Sequence, residues 1–171
     1  MQTGEANRWM GLFGTLKGAT APLWRMSVEL PVAPVDDVIR RHADGLRVSA
    51  EAGEELARRI QSEGARRAAT AAKRADEESR KTLMIADFGA DEVPDKDMLD
   101  LPIAPVDRVA RLDLDNRYRV SMDARIVLAA QLEAYAEDIA AAAAYLARHA
   151  GRRTIKGEDV EAYFQLQQYF E

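Results

Sequence analysis

At 171 residues the chain has room for one or two small domains. Its net charge of −5 excludes a uniformly basic nucleic-acid coat, though not a local basic patch. The absence of Cys excludes disulfides and thiolate metal sites, and no apolar run reaches the ~18 residues of a membrane-spanning helix.

Apolar residues are 47% of the chain and aromatics only 6%, with Ala dominating. Small side chains and few Gly and Pro suggest closely packed helices, so an all-α chain is expected. The acid excess is local. Residues 29–88 hold 12 acids and 11 bases, residues 101–171 hold 11 and nine, and residues 89–100 hold five and one. Only five of the 24 bases are Lys. Arg is the cation suited to bidentate phosphate contacts.

Residues 1–25 contain both Trp and four of the ten Gly, with no clear period. They read as a disordered tail or a mis-assigned start, with initiation at Met26. From there the pattern becomes regular. Residues 29–41 read as a short helix, with Pro31 or Pro34 in its first turn and Val35, Val38 and Ile39 on one face. A loop over 42–48 ends at Ser49, a good N-cap, and Glu51, Glu54 and Glu55 suit a helix N-terminus. A long helix over 50–76 carries Ala52, Leu56, Ile60, Gly64, Ala68, Ala71 and Ala75 on one stripe. At 1.5 Å per residue it is ~40 Å long, too long to bury that stripe against one short helix. A loop over 77–82 and a short helix over 83–89 follow. Residues 90–100 are acidic and read as a solvated linker.

The plan then repeats. Leu101-Pro-Ile-Ala-Pro-Val-Asp-Arg-Val109 matches Leu30-Pro-Val-Ala-Pro-Val-Asp-Asp-Val38. Arg119-Val-Ser121 matches Arg47-Val-Ser49, and Arg152-Arg-Thr-Ile155 matches Arg80-Lys-Thr-Leu83. This is an internal duplication. A second long helix over 122–149 carries Ala124, Leu128, Leu132, Tyr135, Ile139, Ala142 and Leu146, and a last helix over 157–168 carries Val160, Phe164 and Gln167. Each long helix thereby gains the long partner it lacks. The boundaries are an extension 1–25, a first unit 26–89, a linker 90–100 and a second unit 101–171.

The Leu-Pro-x-Ala-Pro motif, the Arg-Val-Ser motif and Ala147-Arg-His-Ala-Gly-Arg-Arg-Thr-Ile-Lys-Gly-Glu-Asp159 resemble archaeal histones. The duplication in an acidic, Lys-poor chain is similar to the fused doublets of halophilic archaea. The resemblance covers residues 28–171 and is closer in the second repeat. It implies two tandem histone folds in an intramolecular handshake, with the first loop of each repeat beside the second loop of the other. Arg47 would then join Arg153, Thr154 and Lys156, and Arg119 would join Lys81 and Thr82. Met84 stands where the second repeat has Lys156, so the Arg119 cluster should be the weaker. Arg108 matches a third contact of the family, but its equivalent in the first repeat is Asp37.

The implied partner is double-stranded DNA, gripped at the phosphates with little sequence preference and bent or wrapped, in a chromosome-associated cytoplasmic (nucleoid) setting. The resemblance also makes Arg80 with Asp87, and Arg152 with Asp159, structural salt bridges. Leu146, His149 and Asp159 would mediate self-association through the second fold. Nothing in the sequence assembles a catalytic pair, a metal site, a cofactor site or a small-molecule pocket. The rival expectation is a histone-fold module of a transcription regulator that works through protein partners. The near-neutral repeats, the acidic linker and Asp37 favour it.

Overall fold

The computed structural model describes residues 27–170, so the reading of residues 1–25 lies outside the described residues. The element order is α1 (Val32–His42), β1 (Arg47–Val48), α2 (Ala50–Glu77), β2 (Thr82–Leu83), α3 (Ile103–Arg111), β3 (Arg119–Val120), α4 (Met122–His149), β4 (Thr154–Ile155) and α5 (Gly157–Gln167). Two 3-10 turns, Ile85–Phe88 and Lys96–Met98, lie between β2 and α3.

Local sequence accounts for the boundaries. Pro31 and Pro102 precede α1 and α3, and Pro34 and Pro105 fall in their first turns, where a missing N–H costs nothing. Ser49 Oγ accepts from the Ala52 amide at 3.2 Å, and Ser121 Oγ from the Ala124 amide at 3.1 Å. Both serines thus cap their long helices.

The core is shared by both halves of the chain. The α2 stripe expected from the sequence is buried throughout, from Ala52 to Ala75. In α4 the buried positions after Leu132 are Glu133, Ala136, Ile139, Ala140, Ala143, Ala144 and Ala147, and Tyr135, Ala142 and Leu146 are only half-buried. Ile139 is buried as expected, and at Tyr135, Ala142 and Leu146 the buried position is the next one along, an Ala in each case. The two long helices meet near their midpoints. A Cβ at Gly64 would stand 2.6 Å from Val109 Cγ1 and 3.0 Å from Leu132 Cδ1, and Arg67 Nη1 donates to Gln131 Oε1 at 3.2 Å.

Joining of the halves continues at the loops. Strand β1 pairs in parallel with β4, Arg47 opposite Thr154, and β2 with β3, Thr82 opposite Arg119. The N-terminus of each long helix is thus held beside the C-terminus of the other.

Two buried polar residues fix the segments that enter the short helices. Gln61, 1% exposed, accepts from the Glu29 amide at 2.7 Å and donates to the Ser27 carbonyl at 2.9 Å. Glu133, 7% exposed, accepts from the amides of Asp100 at 2.9 Å and Leu101 at 3.2 Å. Each lies 72 positions from the other, on equivalent turns of α2 and α4. The stretch expected to be a solvated linker is therefore exposed over 91–98 but docked at its end, where Asp100 also pairs with Arg41 at 2.6 Å. The expected short helix over 83–89 is the four-residue 3-10 turn, ended by Gly89 at φ +72°.

Gly64→Val should lower stability by about 1–3 kcal/mol through overpacking, read as a lower denaturant midpoint at unchanged slope. Wild-type stability would contradict the close crossing.

Candidate nucleic-acid interface

Loop pairing gathers the basic side chains into two clusters. In the β1/β4 cluster the Arg47 amide donates to the Arg153 carbonyl at 2.9 Å, and the Ser49 amide to Ile155 at 3.0 Å. Arg47, Arg153 and Lys156 are exposed there and Thr154 is half-buried. Among the described residues neither Arg47 nor Arg153 has a carboxylate within 4.0 Å. Lys156 is only loosely matched, at 4.0 Å from Glu158. Arg148, at the end of α4, is engaged by Asp44 at 2.8 Å.

The β2/β3 cluster is built the same way, with the Arg119 amide donating to the Lys81 carbonyl at 2.9 Å. Arg119 is exposed and, among the described residues, makes no ion pair. Lys81 is not equivalent to Arg153. Its Nζ donates to Asp76 Oδ1, and the buried Tyr118 donates its hydroxyl to Asp76 Oδ2. Arg117 lies 3.8 Å from the same carboxylate. Bonds from Lys81 first and Tyr118 second hold the Asp76 carboxyl below the usual carboxylate range. A carboxylate therefore occupies this cluster, whereas Arg148 stands at the matching position of α4. Sequence comparison of the loops missed it because Asp76 belongs to the helix before them. The opposite charges at positions 76 and 148 were the available signal.

Beneath the loops lie two nearly identical clamps. Arg80 bonds both oxygens of Asp87, at 2.8 and 2.9 Å, and its Nη1 also donates to the Thr82 carbonyl. Asp87 accepts from the Met84 amide at 2.7 Å. Arg80, opposed by burial, holds the Asp87 carboxyl below its ordinary range. Arg152 likewise grips both oxygens of Asp159, which accepts from the Lys156 amide at 2.8 Å. Each clamp ties a residue just before a loop strand to the turn that follows the strand, and so sets the loop's shape.

The short helices do not assemble a third cluster of unpaired cations. Arg108 pairs with Glu29 at 3.2 Å and Arg111 with Asp107 at 3.0 Å. Arg40 pairs with Asp36 at 2.6 Å, and Asp37 is exposed.

At the end of α4, Leu146 is half-buried and His149 exposed. The His149 ring stacks on Tyr145 with centroids 6.3 Å apart. Tyr145 is 67% exposed, a contribution to this surface that the sequence reading missed. Asp159 is 1% exposed, with both oxygens engaged in the clamp.

Among the described residues no group of three or more His, Cys, Asp or Glu could hold a metal ion, and no helix is long and apolar enough to cross a membrane.

Arg152→Ala would strand a buried carboxylate and should cost about 3 kcal/mol in denaturant unfolding. Arg153→Ala, one exposed position further on, should stay within about 0.5 kcal/mol of wild type. Equal losses would contradict the division of labour between these neighbours.

The chain is similar to known proteins in both sequence and shape. A family model described as histone-like transcription factor (CBF/NF-Y) and archaeal histone matches residues 99–162. A subunit of the archaeal histone HAN1 from Thermococcus zilligii is 51% identical over 63 residues, 37% of this chain and 91% of that protein. The crystal structure of the histone from Methanopyrus kandleri aligns with a TM-score of 0.61 and 26% identity, covering 77% of this chain and 91% of that one. With its matched segment carrying the helix α4, the strand β4 and the Arg152–Asp159 clamp, the chain belongs to the archaeal histone family.

Proposed function

We propose that this protein is a fused histone doublet that binds duplex DNA with little sequence preference and bends or wraps it. Residues 26–89 form one histone fold and residues 101–171 the other, joined by the acidic linker 90–100 in an intramolecular handshake. The carrying observation is the pairing of β1 with β4 and β2 with β3. It sets Arg47 beside Arg153, Thr154 and Lys156, and Arg119 beside Lys81 and Thr82. The coverage of 77% of this chain by a solved histone supports the doublet reading, since that share exceeds either half. The Lys-poor, acidic composition favours a halophilic type, and the setting is the chromosome in the cytoplasm.

Guanidiniums, Thr hydroxyls and exposed loop amides contact phosphates rather than base edges, so positioning rather than sequence readout is the outcome. The β1/β4 cluster is the stronger of the two, because Asp76 counters Lys81 in the other. Arg108 contributes only by leaving Glu29.

A second reading is favoured by one observation. Ion pairs match Arg40, Arg108 and Arg111 across the short helices. A protein-partner module of a transcription regulator would need no basic track there.

Fluorescence anisotropy on a duplex across a salt series separates the two. About five phosphate contacts give a slope of log affinity against log salt near −4 to −5. Arg153→Ala with Lys81→Ala should flatten it by about 2, and Asp76→Asn, which releases Lys81, should steepen it by about 1. A shallow slope indifferent to all three substitutions would sink the DNA reading.

Self-association belongs to the second fold, through Tyr145, Leu146 and His149. The corresponding positions of α2 are Lys73, Arg74 and Glu77, so only one end of the molecule carries that surface. Sedimentation should give a two-chain mass for the wild type and a one-chain mass for His149→Ala. A species of more than two chains would contradict the single-ended arrangement.

A further inference from the structure

The two ends differ in a second way. In the second fold the chain after the clamp continues as α5 for 11 residues. Its Phe164 lies under the Arg59 guanidinium at 4.3 Å, and Tyr163 packs edge-on against it. In the first fold the chain turns away at Gly89, after four residues of 3-10 turn. The positions equivalent to Tyr163 and Phe164 are Asp91 and Glu92, both exposed in the linker. The aromatic roof is therefore missing at this end. What remains is an open cavity of about 200 Å³, lined by Arg66, Arg67, Thr70, Arg74, Phe88 and Gln131 with the clamp's Asp87.

The cavity is cationic, and its cations are part-anchored. Arg74 Nη1 donates to the Asp87 carbonyl at 2.8 Å and, among the described residues, Arg74 has no carboxylate partner. Its Nε and Nη2 remain open. Arg67 is fixed by Glu63 at 2.7 Å and by Gln131 at 3.2 Å through Nε and Nη1, leaving Nη2. Arg66 is bidentate on Glu63, leaving Nη1. One carboxylate, Glu63, thus orients two guanidiniums. Burial opposes its ionisation, but the bonds from Arg66 and Arg67 together hold its carboxyl below the ordinary value. The clamp's Asp87 is already matched by Arg80. Three guanidiniums are therefore balanced by the single carboxylate of Glu63, and each is held by at least one hydrogen bond.

We propose that this groove, on α2 where the first fold lacks its third helix, is a phosphate-binding site separate from the paired loops. The open Nε/Nη2 fork of Arg74 presents two parallel N–H donors, and Arg66 Nη1 and Arg67 Nη2 add one nitrogen each, a set that suits a dianionic or pyrophosphate-like group. The same chemistry is offered by a duplex backbone and by a free polyphosphate. The proposal does not depend on the DNA reading, because it is tested first on a small anion.

The test is a titration of the full chain with inorganic pyrophosphate at low salt, followed by the arginine Nε–H resonances. The expected result is a saturable shift of Arg66, Arg67 and Arg74 before any loop Arg. Arg66→Gln with Arg74→Gln should weaken this binding about tenfold or more, since two charge-assisted donors are removed. Arg153→Ala should leave it intact. Thr70→Glu, which sets a carboxylate in the groove at an exposed helical position, gives the same loss should the double variant fail to fold. Loop arginines shifting first, or unchanged binding in both groove variants, would overturn the site. On duplex DNA the groove variants distinguish the source. A salt slope shallower by about 1–2 assigns the groove to the DNA backbone, and an unchanged slope with pyrophosphate binding lost assigns it to a free polyphosphate.

Discussion

The structure depends on how closely the two long helices can approach at their midpoints. Gly64 leaves no side chain between the α2 backbone and Val109 of α3 and Leu132 of α4, and most of the other buried positions of both long helices are Ala. Burial of an Ala stripe yields little free energy per residue, so it repays ordering only over a long, close contact. Neither half has such a contact within itself. The α1 and α3 helices are 11 and nine residues long, against 28 for each long helix. Folding of one half therefore requires the other. Loop pairing follows from the same constraint. Once the long helices lie midpoint to midpoint with opposed directions, the chain entering each must run beside the chain leaving the other. The basic clusters at β1/β4 and β2/β3 are a consequence of core packing as much as of loop sequence.

Duplication without identity is what makes the ends unlike. The same turn of the long helix carries Gln61 in one half and Glu133 in the other, and both do the same work on an incoming backbone. Elsewhere the pairs diverge in charge. Asp76 stands against Arg148, Lys73 against Tyr145, Arg74 against Leu146, and Glu77 against His149. These positions face out at the helix ends, where no core constrains them. One end offers an aromatic and apolar surface. The other offers guanidiniums around an open groove. The two ends of the described chain are therefore chemically unlike.

Much of this was legible in the residues themselves. The 72-residue offset, the Ser49 and Ser121 caps and the α2 stripe follow from short-range patterns that survive in any context, whereas the clamps were expected only from the resemblance to archaeal histones. The α4 stripe is as expected at Ala124, Leu128, Leu132 and Ile139 but one position off at Tyr135, Ala142 and Leu146, since in an Ala-rich run neighbouring positions look alike in sequence. Buried Gln61 and Glu133 look like surface residues until the segment they hold is known. Asp159 looks like a surface acid in sequence, and its near-complete burial in the clamp is visible only in the fold. The Asp76 carboxylate lies five residues before Lys81 in the chain, and their contact requires the helix end to fold back over the loop. The open groove has no sequence motif at all. It is made by what Gly89 stops.

The acidic character of the chain also resolves into local arrangements. Most helix-surface acids sit three or four residues from an Arg, as Glu55 does to Arg58 and Arg59, and Glu63 to Arg66 and Arg67. Such pairs add little stability individually, but they neutralise the flanks of the long helices. The loops break this pattern. Arg47, Arg119 and Arg153 have no carboxylate within reach among the described residues, although acids outnumber bases 29 to 24 in the chain. Screening over about 8–10 Å at moderate salt makes distant acids nearly irrelevant to a charge on a loop tip. What an approaching anion meets is therefore set by the nearest few side chains. By that measure the β1/β4 loops present unmatched positive charge, and net charge says nothing against it.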